Sequence, residues 1–147
     1  MDNLFHVSTA PHIRDSITTK NIMYDVILAL IPATIFGIYQ FGIDAFLVVS
    51  VAIITSLLSE YLYQRFMKLP ITVYDGSAIL TGLLLALCLS SSMPLWMVAL
   101  GSVFAIIVVK QLFGGLGQNF MNPALAARCF LLISFAGKMN SFAPCRN

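Results

Sequence analysis

From Ile22 to Phe41 the chain runs almost without charge, Asp25 being the exception. That run is as long as the roughly 20 mainly apolar residues needed to cross a bilayer. Further apolar runs follow at about Ala45–Tyr63, Ser77–Leu89, Pro94–Leu112 and Pro123–Ala136. Length alone would allow one soluble domain, but such a domain needs polar residues for its outside. They are not available: only 10% of residues are charged, the apolar share is 59% and the mean hydropathy is +0.92. An ordinary soluble domain is roughly 25% charged. The expected fold is therefore all-α, a polytopic membrane helix bundle with about five transmembrane spans.

Each run has local features that bear on this reading. Pro32 falls inside the first, where a membrane helix tolerates it because neighbours satisfy the freed carbonyl. A turn around Gly42 to Asp44 leads to the second, whose Tyr61 and Tyr63 suit an interfacial aromatic belt. The third and fifth runs are short for a full crossing, and the fifth contains Arg128. Residues 1–21 form a polar segment without the basic start and short apolar core of a cleavable signal peptide, so the first run reads as a retained span. The expected division is an amino-terminal segment 1–21, a transmembrane domain 22–137 and a short tail 138–147, with no internal repeat.

Orientation follows from the basic residues. Arg14 and Lys20 precede the first span, Arg65 and Lys68 follow the second, and Lys110 ends the fourth. The positive-inside rule puts all three segments, and the amino terminus, in the cytoplasm. The Asp44 turn and Ser90–Pro94 then face outward. A net charge of +2 without a basic stripe gives no sign of nucleic-acid binding.

Two stretches carry the chemistry. The first is Gly114-Gly115-Leu116-Gly117-Gln118-Asn119-Phe120-Met121-Asn122-Pro123-Ala124-Leu125. Gly114, Gly115 and Gly117 let the backbone turn tightly or approach a flat ligand closely. Asn119 and Asn122 share one face if the segment is helical, and an amide that both donates and accepts matches the carbonyl and ring-NH edge of a flavin. Composition alone favours the plainer reading, a connecting loop whose asparagines cap the fifth span, with Pro123 in its first turn.

The second stretch is Asp75-Gly76-Ser77-Ala78-Ile79-Leu80-Thr81-Gly82-Leu83-Leu84-Leu85-Ala86-Leu87. Asp75 is expected to cap the following helix. Ala78 and Gly82 follow the small-xxx-small spacing of close helix contacts in membranes. The alternative is that Asp75 and Thr81 help to floor a flavin or ion cavity.

Ionisable residues within spans are costly and often functional. Asp25 and Glu60 fall near cytoplasmic ends, where water is expected to reach them. Arg128, roughly 8 Å into the fifth span, either snorkels to the interface or holds an anionic cofactor or a partner carboxylate. His6 and His12 are isolated, and Cys88, Cys129 and Cys145 show no CxxC spacing, so no metal site is expected. No catalytic triad, HExxH or P-loop appears in the sequence, so nothing in it reads as a self-contained hydrolase or nucleotide-driven pump.

These stretches, with the opening Ser8-Thr9-Ala10-Pro11-His12-Ile13-Arg14, resemble the RnfD family, membrane components of the ion-translocating ferredoxin:NAD+ oxidoreductases known as Rnf complexes. The related component of sodium-translocating NADH:quinone reductase, its B subunit, shares that architecture. The resemblance runs to about Met139, and the GGxGxNxxNPAL pattern is its most specific part. It implies a multi-pass protein of the bacterial or archaeal cytoplasmic membrane that carries flavin in a multisubunit redox-driven translocase of Na+ or H+. Ferredoxin and NAD+ would act through other subunits, and this chain would have no catalytic side chain of its own.

By the same resemblance, Asn119 and Asn122 lie at a non-covalent riboflavin site with the three glycines. Family members also esterify FMN to a threonine in an SGAT motif beyond the fifth span. The 147 residues contain no SGAT, so the chain resembles the front half of a member and is not expected to supply the covalent FMN site. Two other readings share the hydropathy: a secondary transporter with broken helices, and a structural subunit without cofactor.

Overall fold

The computed structural model describes residues 19–112 and 122–141. The chain in these residues forms an all-α membrane helix bundle. Helix α1 (Thr19–Phe41) and helix α2 (Ile43–Phe66) are both long and apolar enough to cross a bilayer. Between them stands Gly42 alone. Its φ of 77° is a conformation that a side chain would strain, which is why the reversal needs glycine there.

A short 3₁₀ turn, Val73–Asp75, leads into α3 (Ser77–Cys88). Helix α4 (Leu95–Val103) continues without interruption as a π-helical segment, Phe104–Gln111. Helix α5 (Pro123–Ser134) follows, and a bend at Phe135 separates it from the single turn of α6 (Ala136–Met139). The expected fifth run thus stops at Ser134, and the boundary drawn at 137 falls within α6. The buried Met139 ties α6 into the core.

Helix α2 is the centre of the bundle, packing against α1, α3, α4 and the π segment. Small residues let the backbones approach. A Cβ added to Gly82 on α3 would lie 2.8 Å from the Ala52 carbonyl oxygen and 2.9 Å from Ile53 Cα, both α2 backbone atoms. Ala52 and Ala78 are fully buried. In lipid, close packing of this kind drives helix association because apolar burial gains little. The residues expected to mark a helix contact, Ala78 and Gly82, therefore sit in one.

The apolar core proper lies nearer the other end: Val48, Ala86, Met93, Met97, Val98 and Leu131. Phe104 stacks on Phe130 with centroids 4.2 Å apart, and Trp96 meets Phe135 edge-on. The outside is as greasy as the inside. Leu28, Ile35, Phe36 and Tyr39 on α1, with Ile43, Ile54 and Leu62 on α2, are all exposed. Patches of that extent mark lipid or partner-facing surface in a folded protein.

Candidate functional site

Four helix termini meet at one end of the bundle: the end of α2, the starts of α3 and α5, and the end of the π segment. The start of α1 joins them through Met23. A dense polar cluster fills this junction.

Its centre is Glu60 on α2, which is fully buried. Lys110 Nζ donates to Glu60 Oε1 at 2.5 Å and to Ser77 Oγ, also at 2.5 Å. Gln111 Nε2 donates to the same carboxylate oxygen at 3.0 Å, and Gln64 Nε2 at 3.4 Å. Lys110 is itself only 2% exposed. Among the described residues this is the one ion pair. Gln64 also closes the link after α2, donating to Thr72 Oγ1 at 2.7 Å and accepting from Thr72 N–H at 2.9 Å.

These placements correct two expectations. Glu60 is not at a wetted helix end, because the link 67–72 folds back and α3 and the π segment close over it. Lys110 is not a wetted charge at the end of a span: it points into the bundle. The π segment explains how. Its wider turn puts three consecutive residues, Val109, Lys110 and Gln111, on one buried side, where an α-helix would spread them around its axis. Such segments are rare and recur at functional sites. A periodicity of 3.6 gives no warning of one.

Asp75 is also not the cap of α3. It closes the 3₁₀ turn, donating its N–H to Thr72 O, while Gly76 at φ 77° takes the N-cap position. Glycine suits that place because side chains rarely adopt so positive a φ. Thr81 is buried and donates to the Ser77 carbonyl. Asn122 caps α5 through Oδ1, which accepts the Ala124 N–H at 2.9 Å, and Pro123 opens the helix as expected.

A cavity of about 120 Å³ lies beside the ion pair. Ser77, Thr81, Lys110 and Asn122 supply its polar wall, and Leu80 and Leu84 its apolar one. The two stretches singled out in the sequence therefore meet here, joined by Lys110, which belongs to neither. Asn119, Gly114, Gly115 and Gly117 lie outside the described residues. Arg128 is on the exposed side of α5 and does not line the cavity. Cys129 is exposed and Cys88 half-buried. No cluster of metal-ligating side chains occurs among the described residues.

The chemistry of this wall suits the electronegative edge of a flavin: an ammonium, two hydroxyls and an amide whose donor side is left over from capping. The volume does not hold a whole ring system, since sites for such ligands usually run from ~300 to 1,000 Å³. The described residues therefore offer an edge contact only. A larger apolar cavity of about 440 Å³ lies at the opposite end, between α1, α2 and the end of α3. None of the expected site residues lines it.

Over 137 residues the chain is 53% identical to the D subunit of the Na(+)-translocating ferredoxin:NAD(+) oxidoreductase complex of Acetobacterium woodii, covering 93% of this chain and 43% of that protein. It is 44% identical over 141 residues to the D subunit of the proton-translocating ferredoxin:NAD(+) oxidoreductase complex of Clostridium ljungdahlii, covering 96% of this chain and 43% of the relative. The D subunit of the ion-translocating oxidoreductase complex of Aliivibrio salmonicida is 42% identical over 144 residues, or 97% and 41% of the two chains. The chain thus spans about two fifths of the length of the curated relatives it matches. Because the family model for NQR2, RnfD and RnfE matches residues 6–146, which takes in every helix described above, the chain belongs to the NQR2, RnfD, RnfE family.

Proposed function

We propose that this chain is a flavin-positioning membrane segment of an Rnf-type complex, which couples electron transfer between ferredoxin and NAD+ to the movement of Na+ or H+. The observation that carries the proposal is the meeting of Lys110, Ser77, Thr81 and Asn122 at one cavity. The chain's own residues do no bond chemistry. Their task is placement and electrostatic tuning of a cofactor.

In this reading the Asn122 amide and the Lys110 ammonium hold the electronegative edge of a non-covalent flavin, riboflavin being the expected one. Asn119 and the glycines Gly114, Gly115 and Gly117 complete the seat. When bound, the flavin accepts and passes on electrons. Lys110 stabilises the negative charge that arrives, and its effect is strong because the bundle excludes water. Leu80 and Leu84 keep that side dry. No covalent FMN is assigned to these residues.

The remaining subunits of such a complex are the proposed partners, with ferredoxin and NAD+ reached through them. The cavity end faces the cytoplasm in this proposal, since Lys20, Arg65 and Lys68 lie there too. A reporter fused after Lys110 then reads as cytoplasmic, and an external signal overturns the orientation. The site itself is tested by Asn119→Ala combined with Asn122→Ala in the assembled complex. Non-covalent flavin per complex falls with protein content unchanged, whereas unaltered flavin stoichiometry removes the assignment.

A further inference from the structure

The end of the bundle away from the ion pair holds a space of about 440 Å³ between α1, α2 and the end of α3. Ile38, Phe41, Val48 and Leu87 make its walls apolar. Gly37 opens it on the α1 side, where an added Cβ would meet no atom within 4 Å. The Thr34 hydroxyl donates to the Leu30 carbonyl at 2.9 Å and so makes no demand on a ligand. The other hydroxyls are those of Ser90 and Ser91, in the turn after α3. An apolar space stays dry, and the contacts its lining forgoes cost stability in proportion to its volume. Hydrocarbon is the filling a bilayer supplies.

The dimensions select among occupants. Thr34 and Phe41, at the two limits of the α1 wall, are about 10 Å apart along the helix axis. Spread over that length, 440 Å³ leaves a section of about 40 Å². A helix roughly 10–12 Å across fills about 80–110 Å². Another helix is too wide for the space, whereas extended hydrocarbon chains are not.

A second space, of about 320 Å³, shares Val48 and Ser91 with the first and runs past Ser92 to Pro94. Asp44, at the start of α2, is the one charged residue among those that line it. We propose that the two spaces form one phospholipid site, with acyl chain in the larger and an ammonium-bearing head, of the phosphatidylethanolamine kind, in the smaller. The Asp44 carboxylate pairs with the ammonium. The Ser91 hydroxyl donates to the phosphate, since those of Ser90 and Ser92 are engaged with each other and with the Ser141 carbonyl. A purely anionic head would set its charge against Asp44. The turns at Gly42 and Ser90–Ser92, where the helices end, put the head at the bilayer surface. Lipid then supplies the packing between the carboxyl-terminal half of α1 and the rest of the bundle. The site lies at the opposite end from the proposed flavin seat and does not depend on it.

The test is photo-crosslinking in the assembled complex, purified in mild detergent and mixed with phosphatidylethanolamine carrying a diazirine on its acyl chain. Peptide mass spectrometry then locates the label. Ile38, Phe41 and Leu87 take far more of it than Ile35 and Phe36, which are 62% and 66% exposed and report ordinary surrounding lipid. Gly37→Leu, whose side chain has room to enter the space, abolishes the label there and leaves that on Ile35 and Phe36 unchanged. Asp44→Asn lowers the preference for phosphatidylethanolamine over phosphatidylglycerol by roughly twofold to fivefold, the worth of one exposed ion pair. Equal labelling of the cavity and of Ile35 and Phe36 in the unaltered complex overturns the site, as does a cavity that takes no label. That comparison needs no variant, so it decides even if Gly37→Leu fails to assemble. Cavity label that persists in an assembled Gly37→Leu complex also overturns the site, and equal competition by the two lipids in the unaltered complex overturns the headgroup assignment.

Discussion

The two ends of this bundle are built on different principles. At the end holding Glu60, polar side chains from α2, α3 and the π segment converge on a buried charge pair. At the other, Val48, Met93, Met97 and Val98 pack with Leu131 and Met139, and the polar contacts are peripheral: Ser90 with Ser92, and Ser92 with the Ser141 carbonyl. One end depends on close partnering of charges and donors, the other on volume. The first should therefore fail sharply under single substitutions and the second gradually.

The largest expected effect is at the charge pair. Lys110→Met leaves Glu60 buried without its cation, a loss of about 3–5 kcal/mol. Unfolding of the purified protein in mild detergent checks this, and a loss below about 1 kcal/mol would make the pair no different from an exposed one. Next is Gly82→Ala, which drives a methyl group into α2 backbone that cannot step aside. Overpacking of this kind costs about 1–3 kcal/mol.

Gly101→Ala makes an instructive contrast. Its Cβ would fall 2.7 Å from Leu131 Cδ1, the far end of a side chain that can rotate. The expected cost is about 1 kcal/mol, less than at Gly82. Equal losses in the two variants would mean that the two ends do not differ in rigidity. Asn122→Ala removes the cap of α5 for about 1 kcal/mol. Smallest is Ile35→Ala on the exposed face of α1, expected within about 0.5 kcal/mol because most of that side chain lies outside the bundle.

Much of the fold is legible in the sequence because a bilayer demands long apolar segments and little else. The helices observed follow the five apolar runs closely. Gly82 and Ala78 are legible for the same reason, since their spacing is a packing signal in itself. Asn122 is legible as a cap from the proline after it.

The site is less so. Lys110 looks like a span-ending charge because its burial depends on a π segment, which leaves no periodic trace. Glu60 looks wetted because the segment that covers it, residues 67–72, is short and sits between two spans. Its cover depends on the Gln64–Thr72 contacts, which are set by tertiary structure. Asp75 resembles a cap by type and place, yet Gly76 takes that role because the chain needs a positive φ there. A buried carboxylate and a buried lysine 50 positions apart are a faint signal in sequence.

The most direct measurement is a double-mutant cycle on Glu60→Gln and Lys110→Met, read as unfolding free energy of the purified protein in detergent. If the polar end is held by direct partnering of these two groups, the double variant is markedly more stable than the sum of the single losses predicts, with a coupling of about 1.5 kcal/mol or more. Losses that add to within about 0.5 kcal/mol would contradict that partnering, because residues that add in this way are not in contact.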